Sequence, residues 1–147
     1  MKNNHLTLLG GQIVPVYWAI KETNPDNIFI LYTQDSRNNL SIIKQVFNNK
    51  KINAFQVDPF DFDGIRSLVE EFVLNDSETN WNLNITGGTK VMALAANSVF
   101  NDLGLNSFYF DQKNQFYYFK EKEHVKLKSK IDISTFLSLS GHKKTNC

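Results

Sequence analysis

The 147-residue sequence holds one cysteine, Cys147, which excludes an internal disulfide and a cysteine-based zinc site. Its three histidines, His5, His124 and His142, follow no His-x-x-x-His spacing, and no carboxylate cluster supports a metal. Glu70–Glu71 and the Glu121–Glu123 stretch read as solvated charge, so an obvious general base is missing. No apolar run approaches the length of a membrane span, and Met1–Asn4 leads into a strand rather than a signal peptide. The net charge of +1 gives no general attraction for DNA or long RNA, so an anionic ligand needs a local site. A Walker loop and a Gly-x-Gly-x-x-Gly fingerprint are both absent, which disfavours an NTPase or a nicotinamide enzyme.

What is present describes a folded globule, 41% hydrophobic and 13% aromatic. The length suits one domain over residues 1–140, followed by a polar tail at 141–147, and a cytoplasmic location is expected.

The most informative stretch runs from Asn84 to Met92. Trp81, Leu83 and Ile85 alternate as in a strand, and Val91–Leu103 carries a helical pattern. A strand, two glycines and a helix in succession form a phosphate cradle. Gly87 and Gly88 let the backbone turn with its N–H groups exposed, and the helix start adds unpaired donors and the positive end of its dipole. Thr86 and Thr89 offer hydroxyls, and Lys90 offers a mobile charge. The alternative is a plain turn with Thr89 as helix cap and Lys90 in solvent.

In chain order, Leu6–Leu9 is a short strand ending at Gly10-Gly11, and Gln12–Thr23 is a helix with Pro15 in its first turn. The apolar run inside Asn27–Thr33 fits a central parallel strand, and a helix capped by Asp35 or Ser36 follows to about Asn49. Ile52–Val57 is the third strand, and Asp61 or Asp63 caps the third helix. The fourth helix, apolar almost all round, is expected to be the most buried, with Gly104 at its end. Asn106–Phe110, Gln115–Phe119 and Val125–Ile131 are strands joined by short turns, which implies antiparallel pairing. Lys126, Lys128 and Lys130 read as charges guarding an edge strand, with a nucleic-acid strip as the alternative. Ile133–Leu139 is a short apolar turn or helix.

These units predict an α/β fold: a Rossmann-like doubly wound sheet whose parallel core has the order 3-2-1-4, extended by antiparallel C-terminal strands. Strands 1 and 4 are then neighbours whose helices leave on opposite faces, and the crevice at their carboxyl ends is the expected ligand site. The loops Gly10-Gly11-Gln12-Ile13 and Thr86–Lys90 meet there, with Thr33–Arg37 beside them. The 86–90 amides and the Thr89 hydroxyl suit phosphate oxygens. Gln12, Gln34 and Asn84 suit base or ribose edges, and Asp35 either accepts from a ribose hydroxyl or adenine amino group or caps its helix.

These residues resemble a known family. The strand followed by Thr-Gly-Gly-Thr-Lys-x-Met and an Ala-rich helix, after a first strand ending Leu-Leu-Gly-Gly-Gln, is similar to the CRISPR-associated Rossmann-fold (CARF) sensor domains of cyclic-oligoadenylate-activated type III nucleases. The resemblance covers about residues 5–140 and implies a homodimer that binds a cyclic oligoadenylate, most often the four-membered ring, across its two-fold axis. Thr86, Gly87, Gly88, Thr89 and Lys90 match its ligand motif, while Gly10–Ile13 and Gln34, Asp35 and Ser36 match by position. No cofactor is implied. These sensors usually precede an effector domain, for which the residues after Leu139 leave no room; the resemblance therefore implies either a free-standing sensor working with a separate effector or an isolated sensor domain. Some members open the ring without metal, which makes Lys90 a candidate catalytic residue and a ring nuclease the alternative to a pure receptor. A small-molecule enzyme on a Rossmann-like fold is a third class.

Overall fold

A computed structural model describes residues 2–111 and 113–128. The chain runs β1 (Asn3–Leu8), α1 (Val14–Thr23), β2 (Asn27–Tyr32), a 3-10 turn (Gln34–Ser36), α2 (Arg37–Val46), β3 (Lys51–Gln56), α3 (Phe62–Asn75), β4 (Asn80–Asn84), α4 (Lys90–Asp102), β5 (Asn106–Phe110), β6 (Gln115–Tyr118) and β7 (Glu123–Lys126). One seven-stranded sheet takes the order β3-β2-β1-β4-β5-β6-β7. The expected α/β sheet and its 3-2-1-4 core are therefore observed, as is the antiparallel pairing of β5 with β6 and of β6 with β7. Strand β5 itself lies parallel to β4, because α4 carries the chain back across the sheet before β5 begins.

The helices divide between the two faces. One core layer joins α1 and α2 to Leu9, Ile28, Ile30, Phe108 and Phe116; the other joins α3 and α4 to Leu6, Leu8, Leu31, Trp81 and Leu83. The alternation along β1 and β4 thus sends adjacent residues to opposite layers, as the period of a strand requires.

Some local expectations change. Strand β1 begins at Asn3, so His5 lies inside it, opposite Ile28 and Asn82, rather than before it. Main-chain pairing on both sides of β1 outweighs the polarity of these side chains. His124 stands in β7, not in a turn, 3.2 Å from Asp111. Asp61 caps α3 by accepting from the Gly64 N–H at 3.0 Å. The most buried helix is α1, not α4: Pro15–Ile20 are all buried, whereas Leu94 on α4 is 64% exposed. The difference arises because α1 lies over the central strands and packs Tyr17 on Phe47, while α4 turns only one face to the sheet and α3. No helix among the described residues is long and apolar enough to cross a membrane. Lys126 lies exposed on edge strand β7, while Lys130, Ile131, His142, Cys147, the expected turn at 133–139 and the tail at 141–147 lie outside the described residues.

Candidate functional site

Strand β1 ends at Leu8 and β4 at Asn84, side by side in parallel register, so the loops that follow must leave from the same edge of the sheet. They touch there. A Cβ placed on Gly10 would lie 2.9 Å from the Gly88 nitrogen, and one on Gly87 would lie 2.1 Å from the Leu8 carbonyl oxygen. Gly88 also has φ +76°, a conformation that L side chains rarely adopt. Gly10, Gly87 and Gly88 are therefore a packing requirement: only backbones without side chains cross this closely.

The crossing leaves donors free. The N–H groups of Gly87, Gly88, Lys90 and Val91 have no hydrogen-bond partner among the described residues. They precede or open α4, where the helix dipole adds positive potential. Lys90 is exposed and makes no ion pair among the described residues. The arrangement suits phosphate oxygens.

A pocket of about 290 Å³ lies against this crossing, lined by Leu9, Gly10, Gly11, Thr33, Asp35, Ser36, Pro59, Phe60, Gly88, Thr89 and Met92. The structure thus brings the loops after β1, β2 and β4 to one crevice and adds the loop after β3. Gln12 and Gln34 are exposed outside this pocket, and Ile13 is 5% exposed within the α1 core layer.

Several of the residues expected to contact a ligand are held by neighbours within the fold. Asn84 is fully buried, its amide donating to the Pro15 carbonyl at 3.4 Å and its oxygen accepting from the Thr86 N–H and hydroxyl at 3.0 and 2.6 Å. The Thr86 hydroxyl also accepts from the Phe110 N–H at 2.8 Å, so neither of its donors is left for a ligand. The Thr89 hydroxyl accepts from the Met92 N–H at 3.1 Å and donates to the Pro59 carbonyl at 2.6 Å. It is both the cap of α4 and a latch onto the β3–α3 loop. Ser36, 2% exposed, closes a capping box with Thr33, accepting from its N–H at 2.9 Å. Neither Ser36 nor Asp35 makes a side-chain cap on α2, and the exposed Asp35 lines the pocket.

Sequence reasoning missed two participants. Asn39 on α2 donates to the Gly10 carbonyl at 2.8 Å and fixes the first glycine loop. Phe60, 73% exposed, stands at the pocket rim. Its signal was an apolar residue in the Asp58–Asp61 loop at the carboxyl end of β3, an edge shared with the crevice.

The fold is shared with several solved proteins. Can2 from Sulfobacillus thermosulfidooxidans, in complex with cyclic tetra-adenylate, is 24% identical with a TM-score of 0.87, over 95% of this chain and 41% of that one. Protein VC1899 from Vibrio cholerae is 15% identical with a TM-score of 0.81, over 95% of this chain and 39% of its own. A type III CRISPR defence DNA nuclease activated by cyclic oligoadenylate is 20% identical with a TM-score of 0.79, over 95% and 23%. The chain thus spans about two fifths or less of the length of these three. No curated protein matches it in sequence. The family model of the Card1 CARF domain matches residues 5–136, so the chain belongs to the CARF domain family.

Proposed function

We propose that this domain is a receptor for a cyclic oligoadenylate, cyclic tetra-adenylate in the first place, and that it works as a homodimer in the cytoplasm within a type III CRISPR response. The observation that carries this reading is the crossing of Gly10 and Gly88, which leaves the amides of Gly87, Gly88, Lys90 and Val91 unpaired beside the exposed Lys90. A ring with two-fold symmetry presents identical phosphates to two identical crevices, so a dimer doubles every contact without a second kind of site. The membership of the CARF family and the likeness to a cyclic tetra-adenylate complex support the choice of ligand. The output then lies in an effector, on the same polypeptide or on another.

The test is to incubate the purified protein with cyclic tetra-adenylate in EDTA, and to identify bound and free nucleotide by chromatography and mass spectrometry. Retention of the intact ring, one for every two chains, is the expected result. No retention would sink the reading.

A second reading, a ring nuclease, is favoured by the same unpaired Lys90. In this reaction a ribose 2′-hydroxyl attacks the adjacent phosphorus and gives up its proton to water, the bond to the 5′-oxygen breaks, that oxygen takes a proton from water, and the products are a 2′,3′-cyclic phosphate and a 5′-hydroxyl. Lys90 and the neighbouring amides are suited to stabilise the charge on the phosphoryl oxygens. Linear adenylates in the same incubation would establish it, and a ring recovered intact would remove it.

A further inference from the structure

The loop after β3 carries the largest exposed apolar side chain near the crevice, and it is held more firmly than a free loop. The Phe60 N–H donates to the Asp58 side chain at 2.9 Å, and the Asp61 N–H donates to the Asp58 carbonyl at 3.2 Å. Pro59 stiffens the turn, and Asp61 anchors its far end as the cap of α3. The 2.6 Å hydrogen bond from the Thr89 hydroxyl to the Pro59 carbonyl ties the loop to the start of α4, next to the free amides. Phe60 is nonetheless 73% exposed and lines the pocket with Gly10, Gly11, Gly88 and Asp35. Among the described residues its ring makes no contact with another aromatic ring, unlike Phe55 on β3, which packs on Phe72 at 4.7 Å between centroids. A single exposed aromatic on a surface needs no explanation, but one carried beside a phosphate cradle on a loop whose backbone three hydrogen bonds hold is a flat surface presented from a preorganised support.

We propose that Phe60 is the base platform of this site, stacking on an adenine of the ligand while the Gly87–Val91 amides hold the adjoining phosphate. The inference rests on the reading of the crevice as an oligoadenylate site and names the residue that recognises the base. Stacking on an aromatic side chain orients a base without hydrogen-bond readout, so the platform supplies affinity and geometry, while Asp35, which lines the same pocket, offers an acceptor to the adenine amino group.

The test compares wild type with Phe60→Ala, Phe60→Leu and Phe60→Trp in calorimetric titrations with cyclic tetra-adenylate, with the oligomeric state measured by light scattering. Alanine and leucine are expected to weaken binding roughly 5- to 100-fold, the range of one lost base stack, and tryptophan to restore it. The new tryptophan adds an exposed emitter to Trp18 and Trp81, buried at 7% and 3% exposure, and the emission gained over wild type should be quenched as ligand saturates. Exposure of Phe60 leaves the melting temperature near that of wild type in all three variants. Wild-type binding with unchanged affinity in Phe60→Ala would overturn the platform alone. A fall in affinity that leucine rescues, or that accompanies loss of the dimer, would assign Phe60 to apolar or subunit packing and overturn it too. Failure of wild type to bind at all would remove the oligoadenylate reading and the platform with it.

Discussion

Lys90 projects from the first position of α4 without a partner among the described residues, so its charge is available to a phosphate. Lys90→Ala is expected to weaken cyclic tetra-adenylate binding by about 10- to 100-fold, the worth of one charge-assisted hydrogen bond, while leaving the melting temperature unchanged. Titration calorimetry at two salt concentrations checks it, because the mutant should also lose part of the salt dependence. Thr89 has a different job. Its hydroxyl caps α4 and holds Pro59, so Thr89→Ala should cost about 1 kcal/mol in urea unfolding, and Thr89→Ser should recover most of it. His5 shows what burial does to a titratable group: 1% exposed, with neither ring nitrogen bonded to a described residue, it is held down to about 3 from an ordinary 6.5 by desolvation. The unfolded chain therefore takes up a proton at His5 below about pH 6.5, whereas the folded chain does so only near 3. Stability should fall by up to about 1.4 kcal/mol for each pH unit between those values, and His5→Leu should flatten that slope in pH-dependent urea titrations. At this scale the sequence was a partial guide. The glycines and Lys90 stood out by type and order, but Asn84, Thr86 and Ser36 carry groups equally suited to a ligand or to a neighbour, and only packing assigned them to neighbours.

The β1–α1 and β4–α4 loops hold the site by passing through one another's van der Waals space. A methyl group on Gly87 would overlap the Leu8 carbonyl and one on Gly10 would press on the Gly88 nitrogen, whereas a Cβ on Gly11 meets nothing within 4 Å. Gly87→Ala should therefore lower stability by about 1–3 kcal/mol in chemical unfolding and also abolish ligand binding, since β1 and β4 cannot separate without breaking their pairing. Gly11→Ala should leave stability near wild type. A Gly87→Ala protein as stable as Gly11→Ala would mean that the crossing is looser than its geometry indicates. Element type was legible along the described chain, because strand and helix periods alternate cleanly and Pro15, Asp61 and Gly104 punctuate them. Element burial was not: α4 reads as apolar all round, yet among the described residues its Leu94 stays 64% exposed.

For the whole molecule, the two core layers clamp one sheet from both faces, so the crevice walls at the ends of β1 and β4 belong to a single packed body. Under the proposed function a single packed body answers a symmetric ligand best by pairing, and light scattering should show a dimer that binds one ring per two chains. A monomer with one ring per chain would refute the two-fold arrangement. The order of strands, the loops that flank the crevice and the glycine pairs within them all followed from the sequence, since periodicity, glycine and right-handed crossover are local or near-local constraints. The arrival of Phe60 and Asn39 at the same crevice, the parallel course of β5, and the bonds of Asn84 to Pro15, Thr86 to Phe110 and Thr89 to Pro59 were decided by tertiary structure alone. Each depends on which distant backbone group lies within about 3 Å, and that distance is set by how the whole sheet and its helices pack, not by the residues beside it in the chain.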